Sequence, residues 1–313
     1  MNLEPSPARS PRRTTGNRGS ILGVLIVSLV CCGCRAPEKN PPPKQSTPID
    51  LKYLEPLFDS VRPFREGRAV VRRGVNSAYV NESGDLVTKF IYSDASDFSE
   101  GLGRVEVGSQ YGYIDKSGAA VIPPRFAIAG DFKESLAYAR EDQRKARYGY
   151  IDKSGTFKIP PQFDYAQDFS EGLAGVEVSE KWGFIDGAGQ YVIRPRFRHV
   201  GFVVGFEEGL AAVETDAGWG FIDKTGVFVI KAQFDDVANS GFVRGSIPAK
   251  LGGLWGYIDK TGRFFIKPRF VEVEPFYDDV ATVRDGSNWG CINPSGESVV
   301  CTPGHLLGAT NGR

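Results

Sequence analysis

The sequence predicts an all-β chain of seven tandem three-stranded units, each of about 34–37 residues. Three observations carry this. An aromatic–glycine motif returns seven times in register after residue 50, the intervals between its landmarks are nearly constant, and the segments between landmarks alternate like half-buried strands, with no amphipathic helical period.

The chain begins with a segment that belongs to no unit. Residues 1–20 hold Arg9, Arg12, Arg13 and Arg18 against Glu4, and Ile21 to Val30 is almost wholly apolar before Cys31-Cys32-Gly33-Cys34. A basic region, a short apolar run and small residues at its end make an export signal over 1–34, too short for an ordinary spanning helix. An uncleaved anchor is the alternative. Gly33-Cys34 resembles the lipobox of bacterial lipoproteins, which implies lipidation of Cys34; Cys32, with Leu29 three residues before it, is the runner-up. Residues 35–49, with Pro37, Pro41, Pro42, Pro43 and Pro48, form an extended spacer that cannot pack a core.

The repeat domain spans residues 50–304, and a tail of 305–313 follows. Its clearest mark is the pair Tyr111-Gly112, Tyr148-Gly149, Trp182-Gly183, Trp219-Gly220, Trp255-Gly256 and Trp289-Gly290, with a worn first copy at Ser77-Ala78. In most copies an aromatic, Ile and Asp come next, then a turn glycine. The second mark is Pro-x-Phe, as at Pro195-Arg196-Phe197, and the third is Phe-x-Glu-Gly, as at Phe169-Ser170-Glu171-Gly172. The interval from the first mark to the second is 15 residues wherever the second exists, the next is 6 in five units, and the last is 13 in six units, a basic period of 34. Extra residues fall at 141–147, 198–205 and 235–241, which are therefore expected in surface loops.

By these motifs the chain resembles the WG-repeat (KWG-type) family of bacterial envelope and secreted proteins. The resemblance implies architecture and an envelope location, facing the periplasm or the cell exterior; the family offers no general catalytic motif to carry over. Within a unit, Leu173 to Val178, Trp182 to Asp186 and Gln190 to Ile193 read as strands, with Asp starting the turn between the last two. Glycine beside each Trp is expected where a backbone or ring comes close, and proline is expected to end the third strand. Topology favours a propeller-like closed ring in which the segment from Pro56 completes the last unit; an open twisted array of β-hairpins is the alternative.

Composition narrows the function. The 38 Lys+Arg balance 38 Asp+Glu, and removing 1–34 leaves 34 basic against 37 acidic residues, which argues against nucleic acid as a partner. Two histidines, His199 and His305, leave little material for a His-based triad or a multi-histidine metal site, and neither metal nor cofactor is expected. The repeated Asp reads as a turn starter, and the repeated Glu (Glu66, Glu100, Glu134, Glu171, Glu208) as structural. The repeated Trp, Trp182, Trp219, Trp255 and Trp289, reads as inter-unit core. Cys291 and Cys301 lie on adjoining strands of the last unit, so an exported chain could pair them in a disulfide. What remains is a non-catalytic interaction scaffold whose partner is a protein or an envelope polymer. A glycan-binding module, using Tyr165, Tyr191 and Tyr277, is the alternative; a hydrolase would need an acid cluster outside the repeat.

Overall fold

The computed structural model describes residues 49–141, 147–201 and 205–301. The signal segment with Cys32 and Cys34, the spacer up to residue 48, most of the 141–147 loop, residues 202–204, Thr302 onward and His305 lie outside them. The described chain falls within one compact unit, Ser46–Arg313.

Seven antiparallel sheets follow one another along the chain. The fourth shows the plan: Tyr165–Ser170, Leu173–Val178, Lys181–Ile185 and Tyr191–Phe197, each strand paired with the next in sequence order. The units have four strands where three were expected. The additional strand comes first, directly after Pro-x-Phe, and in most sheets it is only two residues long, as at Ile128–Ala129. The first sheet keeps three strands, with single bridges from Ser77 to Tyr92 and from Val80 to Leu86 where its fourth would run.

Proline does not end the last strand. In the second sheet Tyr111 faces Phe126 and Tyr113 faces Ile122, so two steps on one strand oppose four on its partner. The strand Ala120–Phe126 absorbs the surplus in a bulge holding Pro123 and Pro124, where a missing amide donor costs nothing to the ladder. The bulge bends the backbone over Gly112, where a Cβ would lie 2.5 Å from the Ile122 carbonyl oxygen and 2.6 Å from the Pro124 nitrogen. The glycine beside the aromatic is there to admit that backbone.

The core lies between sheets and is aromatic. The ring two residues after each Trp/Tyr position is fully buried: Tyr79, Tyr113, Tyr150, Phe184, Phe221 and Tyr257. Each packs on the Phe of Phe-x-Glu-Gly, or its looser copy, in the following sheet. The centroid distances run from 4.6 Å for Tyr257–Phe276 to 5.1 Å for Tyr79–Phe98. Four of these rings are tyrosines whose hydroxyls donate to a carbonyl just ahead of that Phe, for example Tyr150 Oη to Gln167 O at 2.7 Å. Burial pushes the Tyr150 hydroxyl well above the usual tyrosine range, so it stays a donor.

The expected route of ring closure is not the one taken. Ser60–Val61 pairs with Arg68–Arg73 of its own sheet, and residues 49–58 cover the first sheet without completing the seventh. Their two 3-10 turns, Leu51–Tyr53 and Glu55–Leu57, bury Leu54 against Ala69, Val71, Ala78 and Val80. Ile49 and Leu54 lie over Gly84, where in later sheets the equivalent glycine meets an Ile of the preceding sheet, as Gly189 meets Ile159. The N-terminal segment thus covers, on the first sheet, the place that an Ile of the preceding sheet covers on the later ones. The hydrogen bonds, ion pairs and ring contacts between sheets among the described residues all join consecutive ones. At the far end Cys291 replaces the core ring and is bonded to Cys301, with 5.3 Å between Cα atoms.

Candidate binding cleft between the sixth and seventh sheets

The repeated polar groups are occupied by the scaffold. Asp152 starts the turn after its strand and accepts from Ser154 N at 2.9 Å, Thr156 N at 3.1 Å and the Ser154 hydroxyl. The hydroxyl bond and then the amides hold its carboxyl down at about 2, far below the usual range. Asp115, Asp186, Asp223, Asp259 and Asn293 repeat the arrangement.

The repeated Glu has a role that its recurrence alone does not disclose. Glu100 and Gly101 sit at φ 52° and 87°, the two left-handed positions of a tight hairpin closed by Ser99 N–Leu102 O and Leu102 N–Ser99 O bonds. Left-handed backbone at a residue with a Cβ costs about 1–2 kcal/mol. The carboxylate offsets that by reaching the next sheet, where Glu100 accepts from Ser135 N at 2.9 Å and pairs with Lys153 at 3.1 Å. Glu66, Glu171 and Glu208 do the same with Gly101 and Lys116, Gly209 and Lys224, and Gly245 and Lys260. Glu134 reaches Gly172 N. In the sixth sheet Arg244 takes the position and meets Asp278 and Asp279. Glu171→Ala should therefore cost about 1 kcal/mol in a thermal melt, and Lys224→Met less, because its ion pair is half-exposed.

A further tie joins consecutive sheets. The Arg of Pro-Arg-Phe donates to the turn glycine of the next sheet: Arg125 to Gly155 O, Arg196 to Gly226 O and Arg269 to Gly296 O, at 2.5–2.6 Å. The signal was present in the recurrence of arginine at that position.

The Trp/Tyr positions are only partly core. Tyr148 and Trp182 are 4% exposed, Tyr111, Trp219 and Trp255 are half-buried, and Trp289 reaches 38%. This corrects the expectation that these rings form the inter-unit core, which is built two residues later. The cause is register: Trp182 faces Phe197 across its own sheet, while Phe184 points to the next. His199 lies on the first strand of the fifth sheet, with its Nδ1 2.6 Å from a carboxylate oxygen of Glu214.

One acid departs from the pattern. Asp131 is held by Arg104 at 3.1 Å, but in the next sheet Tyr138 stands at the register of Arg104. Asp168 is left with an unbonded Oδ1 against Gly130. Burial, then the charge of Asp131, raises its carboxyl to about 6, with Lys133 and Arg104 opposing. A raised carboxyl costs stability as pH climbs from about 4 through 6, because the folded state holds the proton longer. Asp168→Asn should therefore raise the melting temperature at pH 7, by about 1 kcal/mol or more in stability, and give no gain at pH 4.

Where the repeat is irregular, a cleft opens. The two extra residues before Phe242 lengthen the loop after Asp236–Val237, and Asp236, Asn239 and Ser240 line a cavity of about 620 Å³ with Trp255, Glu274 and Tyr277. Tyr277 is 56% exposed, and burial followed by the charge of Glu272 raises the Glu274 carboxyl. The Glu274 side chain has no hydrogen bond or ion pair among the described residues. Two rings, an amide, a hydroxyl and two carboxylates thus converge outside the repeated bonding scheme, as small binding sites require. Of this arrangement the sequence carries only the loop irregularity at 235–241.

Tandem four-stranded sheets with this aromatic–glycine register define a β-repeat protein. The family model for WG containing repeat matches residues 54–74, 78–110, 111–144, 148–182, 182–217, 219–255 and 255–289, and the chain belongs to that family. No curated protein matches it. Among solved structures it is similar to BamB from Moraxella catarrhalis, at 10% identity over 74% of this chain and 81% of that one, with a TM-score of 0.47. It is also similar to Hsv2p of Kluyveromyces lactis, at 7% identity over 72% and 88% with a TM-score of 0.44, and to apo AztD from Citrobacter koseri, at 12% over 76% and 79% with a TM-score of 0.42.

Proposed function

We propose that the chain is an exported, lipid-anchored, non-catalytic scaffold of the bacterial envelope that captures a protein or an envelope polymer at the cleft between its sixth and seventh sheets. One observation carries this reading: the recurring acids are occupied by turns and inter-sheet bonds, whereas at the irregular loop the Glu274 side chain has no such bond among the described residues and Asp236 and Ser240 bond only to their immediate chain neighbours. Cys34 is the anchor, and the proline-rich spacer links it to the repeat domain. Cys34→Ala should move the protein from the membrane fraction to the soluble fraction, since the acyl chains supply the dominant membrane affinity. Full retention in the membrane would point to Cys32 or to an uncleaved anchor.

The glycan reading has its own support. Tyr165, Tyr191 and Tyr277 are all exposed, and Tyr165 lies 5.2 Å from the Tyr148 ring and 5.7 Å from that of Trp182. If sugar is the ligand, soluble peptidoglycan fragments should shift the tryptophan emission, and Tyr277→Ala should remove the part of the shift that arises at the cleft.

A further inference from the structure

The last strands of the second to sixth sheets carry a bias that the whole chain lacks. Ala120–Phe126, Phe157–Phe163, Tyr191–Phe197, Phe228–Phe234 and Phe264–Phe270 contain seven Lys and Arg and no Asp or Glu, in a chain with 38 of each sign. Three of these cations, Arg194, Lys231 and Lys267, stand at one register, directly after the buried Ile193, Ile230 and Ile266, in three consecutive sheets. All three are exposed, and none has a hydrogen bond or ion pair among the described residues. Two positions earlier in each strand stand Val192, Val229 and Phe265, between 43% and 48% exposed.

These strands adjoin one another. Phe197 and Phe228 have centroids 6.3 Å apart, and Phe234 and Phe264 5.8 Å. The exposed apolar side chains and the free cations therefore form one strip across three sheets rather than three separate spots. Val227, Phe228 and Tyr191 widen its apolar part. Each last strand is also the edge of its sheet, where proteins blunt unwanted pairing with charge, but that purpose needs no run of exposed Val and Phe. Positive charge interleaved with exposed apolar groups complements a surface that is anionic outside and apolar beneath.

We propose that the last strands of the fourth, fifth and sixth sheets form a rim that docks on an anionic lipid surface. Arg194, Lys231 and Lys267 meet the headgroups, and Val192, Val229 and Phe265 enter the interface. The docking needs no acyl chain, so it stands or falls apart from the assignment of Cys34. Its purpose would be to set the orientation of the stack.

The test uses residues 46–313, which contain every described sheet contact, after circular dichroism has shown the β fold. Sedimentation with vesicles of phosphatidylcholine containing about 30% phosphatidylglycerol is compared with phosphatidylcholine alone, at low salt and at about 0.5 M salt. Binding should be at least tenfold stronger to the anionic vesicles and fall at high salt. The triple variant Arg194→Gln, Lys231→Gln, Lys267→Gln should lose at least tenfold, and Val192→Ser with Val229→Ser should weaken binding without altering its salt dependence. Lys52→Gln, Arg65→Gln, Arg72→Gln removes the same charge from the first sheet and the segments beside it, and should bind like the unaltered chain. Equal binding to both vesicles, no vesicle binding, an unaffected rim variant, or equal losses in both triple variants would overturn the proposal. Binding to dextran sulfate without vesicle binding would assign the strip to a soluble polyanion instead.

Discussion

Gly256→Ala should lower the stability of the protein by about 3 kcal/mol, the upper end for an overpacked interior, whereas Gly290→Ala should be close to neutral. The two glycines follow tryptophan in the same motif, and what separates them is the Pro-x-Phe that comes after the first alone. A Cβ at Gly256 would meet the bulged strand, 2.7 Å from the Pro268 nitrogen and closer still to the Ile266 carbonyl oxygen. These are backbone atoms in a paired strand and cannot rotate away. At Gly290 no atom of the described residues lies within 4 Å of that point, and the partner strand Ser298–Val299 is short and is followed by no Pro-x-Phe. Thermal melts of the two variants side by side decide the matter. A drop of roughly 6–12 °C is expected for the first, at about 2–4 °C per kcal/mol for a domain of this size.

Phe221→Ala should be at least as damaging, at about 3–5 kcal/mol for a fully buried ring. Phe221 is 1% exposed and packs on Phe242 of the next sheet at 5.0 Å. Its loss opens a cavity between two sheets that are already committed to each other by Glu208 and Lys260, so the gap cannot collapse freely. Trp219→Phe, two residues away and half-buried, should cost far less. Denaturant melts that ranked the two in the opposite order would place the core at the tryptophan register.

What the sequence disclosed follows from what repeats. Motif spacing delivers seven units, their strand pairs and the Asp turns because each recurs at a fixed register. The first strand of each unit escaped because most copies, such as Asp236–Val237, are two residues long and leave no alternation to detect. Proline misled because a bulge satisfies its missing donor as well as a strand end does. The positive φ of Glu100 was invisible since glutamate does not advertise that conformation, although Glu-Gly at a fixed place hinted at a two-residue turn. The cap of Ile49 and Leu54 occurs once, so no repeat could reveal it. The cleft was legible only as a loop two residues too long, and its rings were scattered across Trp255 and Tyr277.

Site-specific photo-crosslinking in cells tests the central claim most directly. A photoreactive residue at position 277 or 239 faces the cleft; one at 225 or 261 sits on a repeated turn that is equally open to solvent. The proposed division between scaffold and binding surface requires discrete adducts from the first two positions and none from the turns. Adducts of the same pattern from the turns, or adducts from the turns alone, would contradict it and return the repeated Asp and its neighbours to the list of functional residues.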